Sequence, residues 1–124
     1  MSDTPKPTGI KLHQASRVLE LEFDDGDKYE LPCEYLRVYS PSAEVRGHGP
    51  GQEVLQVGKE KVNIQNIEPV GNYAIKLQFS DGHDTGLYSW DLLYELARDY
   101  EANWQRYLDR LTKAGYQRRE SANT

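Results

Sequence analysis

One pattern appears twice, and it limits the fold more than anything else in the chain. Leu19-Glu-Leu21-Glu-Phe23-Asp-Asp25-Gly26 recurs 56 positions later as Ile75-Lys-Leu77-Gln-Phe79-Ser-Asp81-Gly82. In both copies apolar and polar residues alternate, which is the period of a strand with one buried face. Each ends in Asp-Gly, where glycine supplies the positive φ that a tight hairpin turn requires. Beyond the turn, Leu31 and Leu36 match Leu87 and Leu92, so each copy reads strand, turn, strand, helix. Two copies are too few for a solenoid. The expected product is an α+β domain: an antiparallel sheet built from two strand–Asp-Gly-turn–strand–helix units, with C-terminal helices packed on it.

The remaining segments fit around these units. Ile10 to His13 alternates as a first strand, and Gln14-Ala-Ser16 reads as a turn. Tyr29 to Leu31 is the returning strand, and Pro32 sits at the permitted first position of a short helix carrying Cys33. Further strands are predicted at Lys61 to Glu68 and Tyr73 to Phe79, separated by a turn at Pro69 and Gly71. Ser40 to Leu55 is the least regular stretch, since glycine and proline crowd Gly47 to Gly51. Ser89 can cap a helix whose apolar positions are Leu92, Leu93, Leu96 and Tyr100. Trp104, Tyr107, Leu108 and Leu111 continue that spacing after a break near Arg98-Asp99, and Gly115 stops it. The domain is expected over residues 8–115, with 1–7 and 116–124 as flexible tails.

Charge and cysteine content narrow the function. Fifteen Lys and Arg face twenty Asp and Glu, a net charge of -5. Nucleic-acid binding draws its affinity from neutralised phosphates, so this balance disfavours it. No apolar run approaches the roughly 18 residues of a membrane span, and the first nine residues lack the pattern of a secretory signal. The single cysteine, Cys33, excludes an internal disulfide and fits a reducing compartment, so a cytoplasmic protein is expected. Cys33 itself reads as a small core residue, with a helix-activated thiol as the alternative.

Three histidines are candidates for chemistry. His13 reads as a surface residue. His48 stands beside Arg46 in the glycine-rich loop, and His83 follows the second Asp-Gly and precedes Asp84. A loop histidine beside a carboxylate is a candidate ligand or acid–base group, which leaves open a small enzyme using His83 or His48; the alternative is a turn histidine bonding nearby backbone. None of the common nucleophile, zinc-protease or phosphate-loop spacings occurs. Arg37, Arg46, Lys59 and Lys61 form a string able to hold an anion, or simply solvated charges. Trp90, Trp104, Tyr94, Tyr100 and Tyr107 read as helix core. A homodimer through the C-terminal helices is expected if that aromatic stripe exceeds what one small sheet covers.

Particular strings add a resemblance. Phe23-Asp-Asp-Gly26, Leu31-Pro32, Leu36-Arg37, Ser40-Pro-Ser-Ala-Glu-Val-Arg-Gly-His-Gly49, Val70-Gly71, Tyr73-Ala74 and Asp81-Gly-His-Asp84 through Trp90 occur in order. Together they resemble the gamma-butyrobetaine hydroxylase-like N-terminal domain family, small bacterial proteins of unknown function. The resemblance implies an α+β domain that is not itself the oxygenase, and a chain this short holds no oxygenase domain beside it. In the hydroxylase this domain carries zinc on three cysteines and one histidine. Those positions map to Ser40, Ser42, Val45 and His83, so a cysteine-type zinc site is not possible. The resemblance also implies that the 40–49 loop lies beside His83. The expected binding surface is Arg37, Ser40, Ser42, Glu44, Arg46, His48, Asp84 and Trp90. Two readings of it stay open: zinc or iron bound weakly through His83, His48 and a carboxylate, or hydrogen bonds standing where the metal would be. Related domains fused to P-loop ATPases imply a protein partner, with an iron–sulfur carrier ATPase as the class. The resulting expectation is a non-catalytic binding module.

Overall fold

The computed structural model describes residues 4–47 and 53–118. Its elements are β1 (Pro7–His13), β2 (Val18–Phe23), β3 (Lys28–Pro32), α1 (Cys33–Val38), α2 (Ala43–Arg46), β4 (Ile64–Val70), β5 (Ala74–Phe79), β6 (Leu87–Ser89), α3 (Trp90–Arg98) and α4 (Tyr100–Lys113). The α+β class is as expected, and the strands form two antiparallel three-stranded sheets, ordered β1-β2-β3 and β4-β5-β6. Each repeat is therefore one strand longer than its sequence signature: a three-stranded meander and then a helix.

The two hairpin turns close with the same bonds. Phe23 N–H donates to the Asp27 carbonyl (2.9 Å) and Gly26 N–H to the Phe23 carbonyl (3.0 Å). In the second unit Phe79 N–H donates to His83 (3.0 Å) and Gly82 N–H to Phe79 (3.0 Å). Asp25 Oδ1 accepts from Asp27 N–H at 2.9 Å, and Asp81 Oδ1 from His83 N–H at 3.1 Å. Gly26 and Gly82 adopt φ of 90° and 92°, which a side chain would strain. The aspartate thus shapes each turn, and His83 occupies the position that Asp27 holds in the first.

The alternating faces meet in one core. Leu19, Leu21 and Phe23 from β2 and Ile75, Leu77 and Phe79 from β5 are buried there with Tyr35, Leu36, Tyr88 and Leu93. Cys33 belongs to this core, and burial pushes its thiol up to about 11, so it is an inert packing residue at neutral pH. A smaller cluster joins Val38, Tyr107 and Leu111, flanked by Tyr39 and Trp104. Part of the aromatic stripe finds cover within the chain: the Tyr35 ring lies 4.8 Å from Tyr100 and 6.3 Å from Trp104, both of which stay half-buried. The tail residues 116–118 add to that cover. Tyr116 Oη donates to Glu60 at 2.7 Å, while Arg118 Nε donates to Glu34 at 3.0 Å and its guanidinium lies over Trp104.

Some elements differ from expectation for physical reasons. Pro69 lies within β4, opposite Ile75, rather than in a turn. β4 is an edge strand, where a missing N–H costs no ladder bond. Pro32 ends β3 and caps α1 instead of opening the helix. The irregular stretch contains the short α2, whose Val45 and Arg46 N–H groups both reach the Ser42 carbonyl. Ser89 Oγ accepts from Leu92 N–H at 3.1 Å, and Asp99 joins α3 to α4. Among the described residues no helix is long and apolar enough to cross a membrane.

Candidate functional site

After α1 the chain turns sharply through Ser40, Pro41 and Ser42 into α2, and the turn between β5 and β6 packs against it. Ser40 Oγ and His83 Nε2 lie 2.8 Å apart, and both residues are buried, at 0% and 6% exposure. Ser40 Oγ also accepts from Ser42 N–H at 3.2 Å. Ser42 Oγ pairs with Thr85 Oγ1 at 2.7 Å. Gly86 permits this approach, because a Cβ there would stand 2.5 Å from Ser40 Oγ and 3.1 Å from Pro41 Cδ. Behind the pair, Tyr88 Oη donates to the Leu36 carbonyl at 2.6 Å, and burial raises that hydroxyl well above the usual tyrosine range.

An ionic cluster flanks these contacts. Arg37 Nε donates to Asp81 Oδ2 at 2.8 Å, and Lys59 Nζ reaches the same oxygen at 2.7 Å. Burial alone would raise the Asp81 carboxyl. The Lys59 ammonium, the His83 N–H and the Arg37 guanidinium outweigh it and hold the group at about 2. One carboxylate therefore shapes the turn with Oδ1 and anchors two cations with Oδ2. The Arg37 side chain is only 8% exposed, and its Nη1 has no hydrogen-bond partner among the described residues.

This chemistry is that of a staple joining segments 43 residues apart in sequence. The groups facing His83 from the 40–42 turn are hydroxyls, and Val45, at the third thiolate position, is a buried core residue. A cysteine-type zinc site cannot form. Among the described residues no group of three or more His, Cys, Asp or Glu side chains is placed to hold a metal.

The expected site residues divide. Ser40 meets His83 directly, Ser42 meets Thr85 of the same turn, and Arg37 reaches that turn through Asp81. Asp84 is exposed in the same turn, Glu44 and Arg46 lie on α2, and His48 lies outside the described residues. Trp90 is not part of the cluster. It stands at the far end of the second sheet, where its Nε1 donates to the Asn72 carbonyl at 2.7 Å in the β4–β5 turn. His13 pairs with Glu20 across β1 and β2 at 2.9 Å. Reading the sequence missed Asp81 as the ionic hub, and also Thr85 and Gly86. The one available signal was the Asx position that Asp81 shares with Asp25.

Beside the staple, between the α1–α2 turn and helices α3 and α4, opens a cleft of about 570 Å³. Val38, Val45, Leu92 and Leu96 supply apolar lining, while Arg46, Arg106 and Arg110 bring positive charge. The volume lies within the usual range for ligand sites. Arg106 and Arg110 also escaped the sequence reading. They sit one turn apart on α4, but nothing local tells which neighbour that face meets.

Known proteins place this architecture. The family model described as gamma-butyrobetaine hydroxylase-like, N-terminal, matches residues 10–94. One similar NMR solution structure has 57% identity and a TM-score of 0.82, covering 97% of this chain and 89% of that one. A second has 50% identity and a TM-score of 0.81, covering 98% and 97%. A crystal structure of a protein of unknown function from Acidithiobacillus ferrooxidans has 38% identity and a TM-score of 0.63, covering 74% and 92%. No curated protein matches the chain.

Proposed function

The chain belongs to the gamma-butyrobetaine hydroxylase-like N-terminal family, and from that premise we propose that it is a non-catalytic binding module offering the cleft beside the Ser40–His83 staple to a protein partner. The matched region is the N-terminal part of the hydroxylase-like proteins, separate from the oxygenase catalytic domain. The observation that carries the proposal is the state of His83. Its Nε2 is engaged by Ser40 and its ring is buried, so the histidine best placed for acid–base work serves packing. Next to it, cationic side chains and apolar lining share an open cleft, the composition of a recognition surface. An iron–sulfur carrier ATPase, the partner class implied by the resemblance, is the first to assay.

Affinity capture from the native cell extract tests this reading. Wild-type protein is expected to retain a partner that Arg46→Ala and Arg110→Ala both lose, each variant keeping its far-ultraviolet circular dichroism. Retention of the same partner by both variants overturns the proposal.

The weak metal site makes an independent prediction. Ring nitrogens engaged by hydroxyls in a buried pair are poor ligands without thiolate or carboxylate help. One equivalent of zinc or iron(II) is therefore expected to leave the His83 ring resonances unmoved. A stoichiometric shift would restore the metal reading and identify His83 as a ligand.

A further inference from the structure

The arginines of the cleft differ in one respect from three that lie outside it. Arg37, Arg98 and Arg118 each hold a carboxylate. Among the described residues Arg46, Arg106 and Arg110 form no ion pair, although the chain carries twenty acidic side chains. Arg106 Nη1 donates to Asn103 Oδ1 at 3.1 Å. Arg110 Nη2 reaches only the Glu53 carbonyl, at 3.5 Å. A guanidinium has five N–H donors in a fixed fork, so most of the donors of these three face the cleft or solvent.

The acidic groups along the same cleft, Asp99, Glu53 and Glu95, offset them only in part. Both oxygens of Asp99 are bound by Arg98, at 3.0 and 3.1 Å. Glu53 and Glu95 are solvent-exposed and make no ion pair among the described residues. Their presence, with the net charge of -5, repels a polyanion such as nucleic acid or polyphosphate. One or two carboxylates are the load that three guanidiniums beside two glutamates accept. The apolar lining from Val38, Leu92 and Leu96 requires an apolar group next to that charge.

Building on the binding-module reading, we infer that the cleft recognises an acidic–apolar peptide segment of the partner, with a Glu or Asp carboxylate held by Arg46, Arg106 and Arg110 and a neighbouring aliphatic side chain laid on Val38, Leu92 and Leu96. Arginine binds a carboxylate with two parallel N–H···O bonds, which fixes orientation as well as affinity. The aliphatic contact supplies the desolvated centre that makes such a charge pair count.

Fluorescence anisotropy with a labelled decapeptide alternating glutamate and leucine tests the chemistry, using the glutamine–leucine peptide as control. The acidic peptide is expected to bind at least tenfold more tightly than the control and to weaken as salt is raised. Arg106→Gln/Arg110→Gln, which alters two polar positions outside the buried core, is expected to lose at least tenfold in affinity for the acidic peptide only. Equal binding of the two peptides, or an unaffected double variant, overturns the inference. The capture assay separates the two failures. If the double variant loses the native partner while the peptides bind alike, the cleft remains the binding surface and its acidic-peptide specificity falls. If the double variant keeps the partner, the binding-module reading falls as well.

Discussion

Asp81→Ala is expected to destabilise the protein by about 3 kcal/mol, read as a fall in Tm of roughly 10 °C for a domain of this size. The substitution strands the buried Arg37 guanidinium, whose Nη1 already lacks a partner, and releases Lys59 from the same oxygen. A charge left alone in a poorly solvated site costs far more than a surface ion pair contributes. The internal repeat provides the control. Asp25 makes the equivalent turn bond to Asp27 N–H at 2.9 Å and anchors no buried cation. Asp25→Ala should therefore cost only about 1 kcal/mol, the value of one hydrogen bond. If both variants melt together, the ionic hub has no energetic role. The hub also has a pH signature. The Asp81 carboxyl is held at about 2 in the fold against 3.8 when free, so its contribution is complete above about pH 4 and is lost as pH falls toward 2. Acid unfolding of the wild type should run through that window, and Asp81→Ala should lack that component.

Gly86→Val is the second large effect, expected at about 2–3 kcal/mol from overpacking. The cause is contact distance: a Cβ at residue 86 would stand 2.5 Å from Ser40 Oγ and 3.1 Å from Pro41 Cδ. Atoms that close must move, and moving them separates Ser40 from His83 and Ser42 from Thr85. Thermal melting gives the cost, and the His83 ring resonances report whether the staple has opened. Gly86→Ala in a Ser40→Ala background provides a direct check, since that change removes the oxygen nearest the new methyl group. The alanine should cost measurably less there than in wild type. Equal costs in the two backgrounds would place the strain elsewhere.

These effects depend on contacts that no local pattern encodes. The strand Val18–Phe23 was legible because alternation and an Asp-Gly turn act within a few residues. The Ser89 cap and the joint at Asp99 were legible for the same reason, since a hydroxyl three residues before an N–H finds it within one helical turn. Pro69 was misplaced because whether a strand lies at a sheet edge depends on its neighbours. Asp81 was visible as a turn residue and invisible as the partner of Arg37, 44 positions away.

Of the candidate surface, the 40–42 turn and His83 were reached through the resemblance, and the structure brings them together. Thr85, Gly86 and the arginines of α4 entered only with the coordinates. The sequence by itself determined the two strand–turn–strand–helix units, their turn chemistry and the absence of thiolates at the mapped positions, because periodicity, turns and ligand identity are short-range properties. How the units pack, and therefore which cations meet one carboxylate and which share a cleft, was decided by the tertiary structure. Burying both apolar faces in one core sets those distances, and they are lengths through space rather than along the chain.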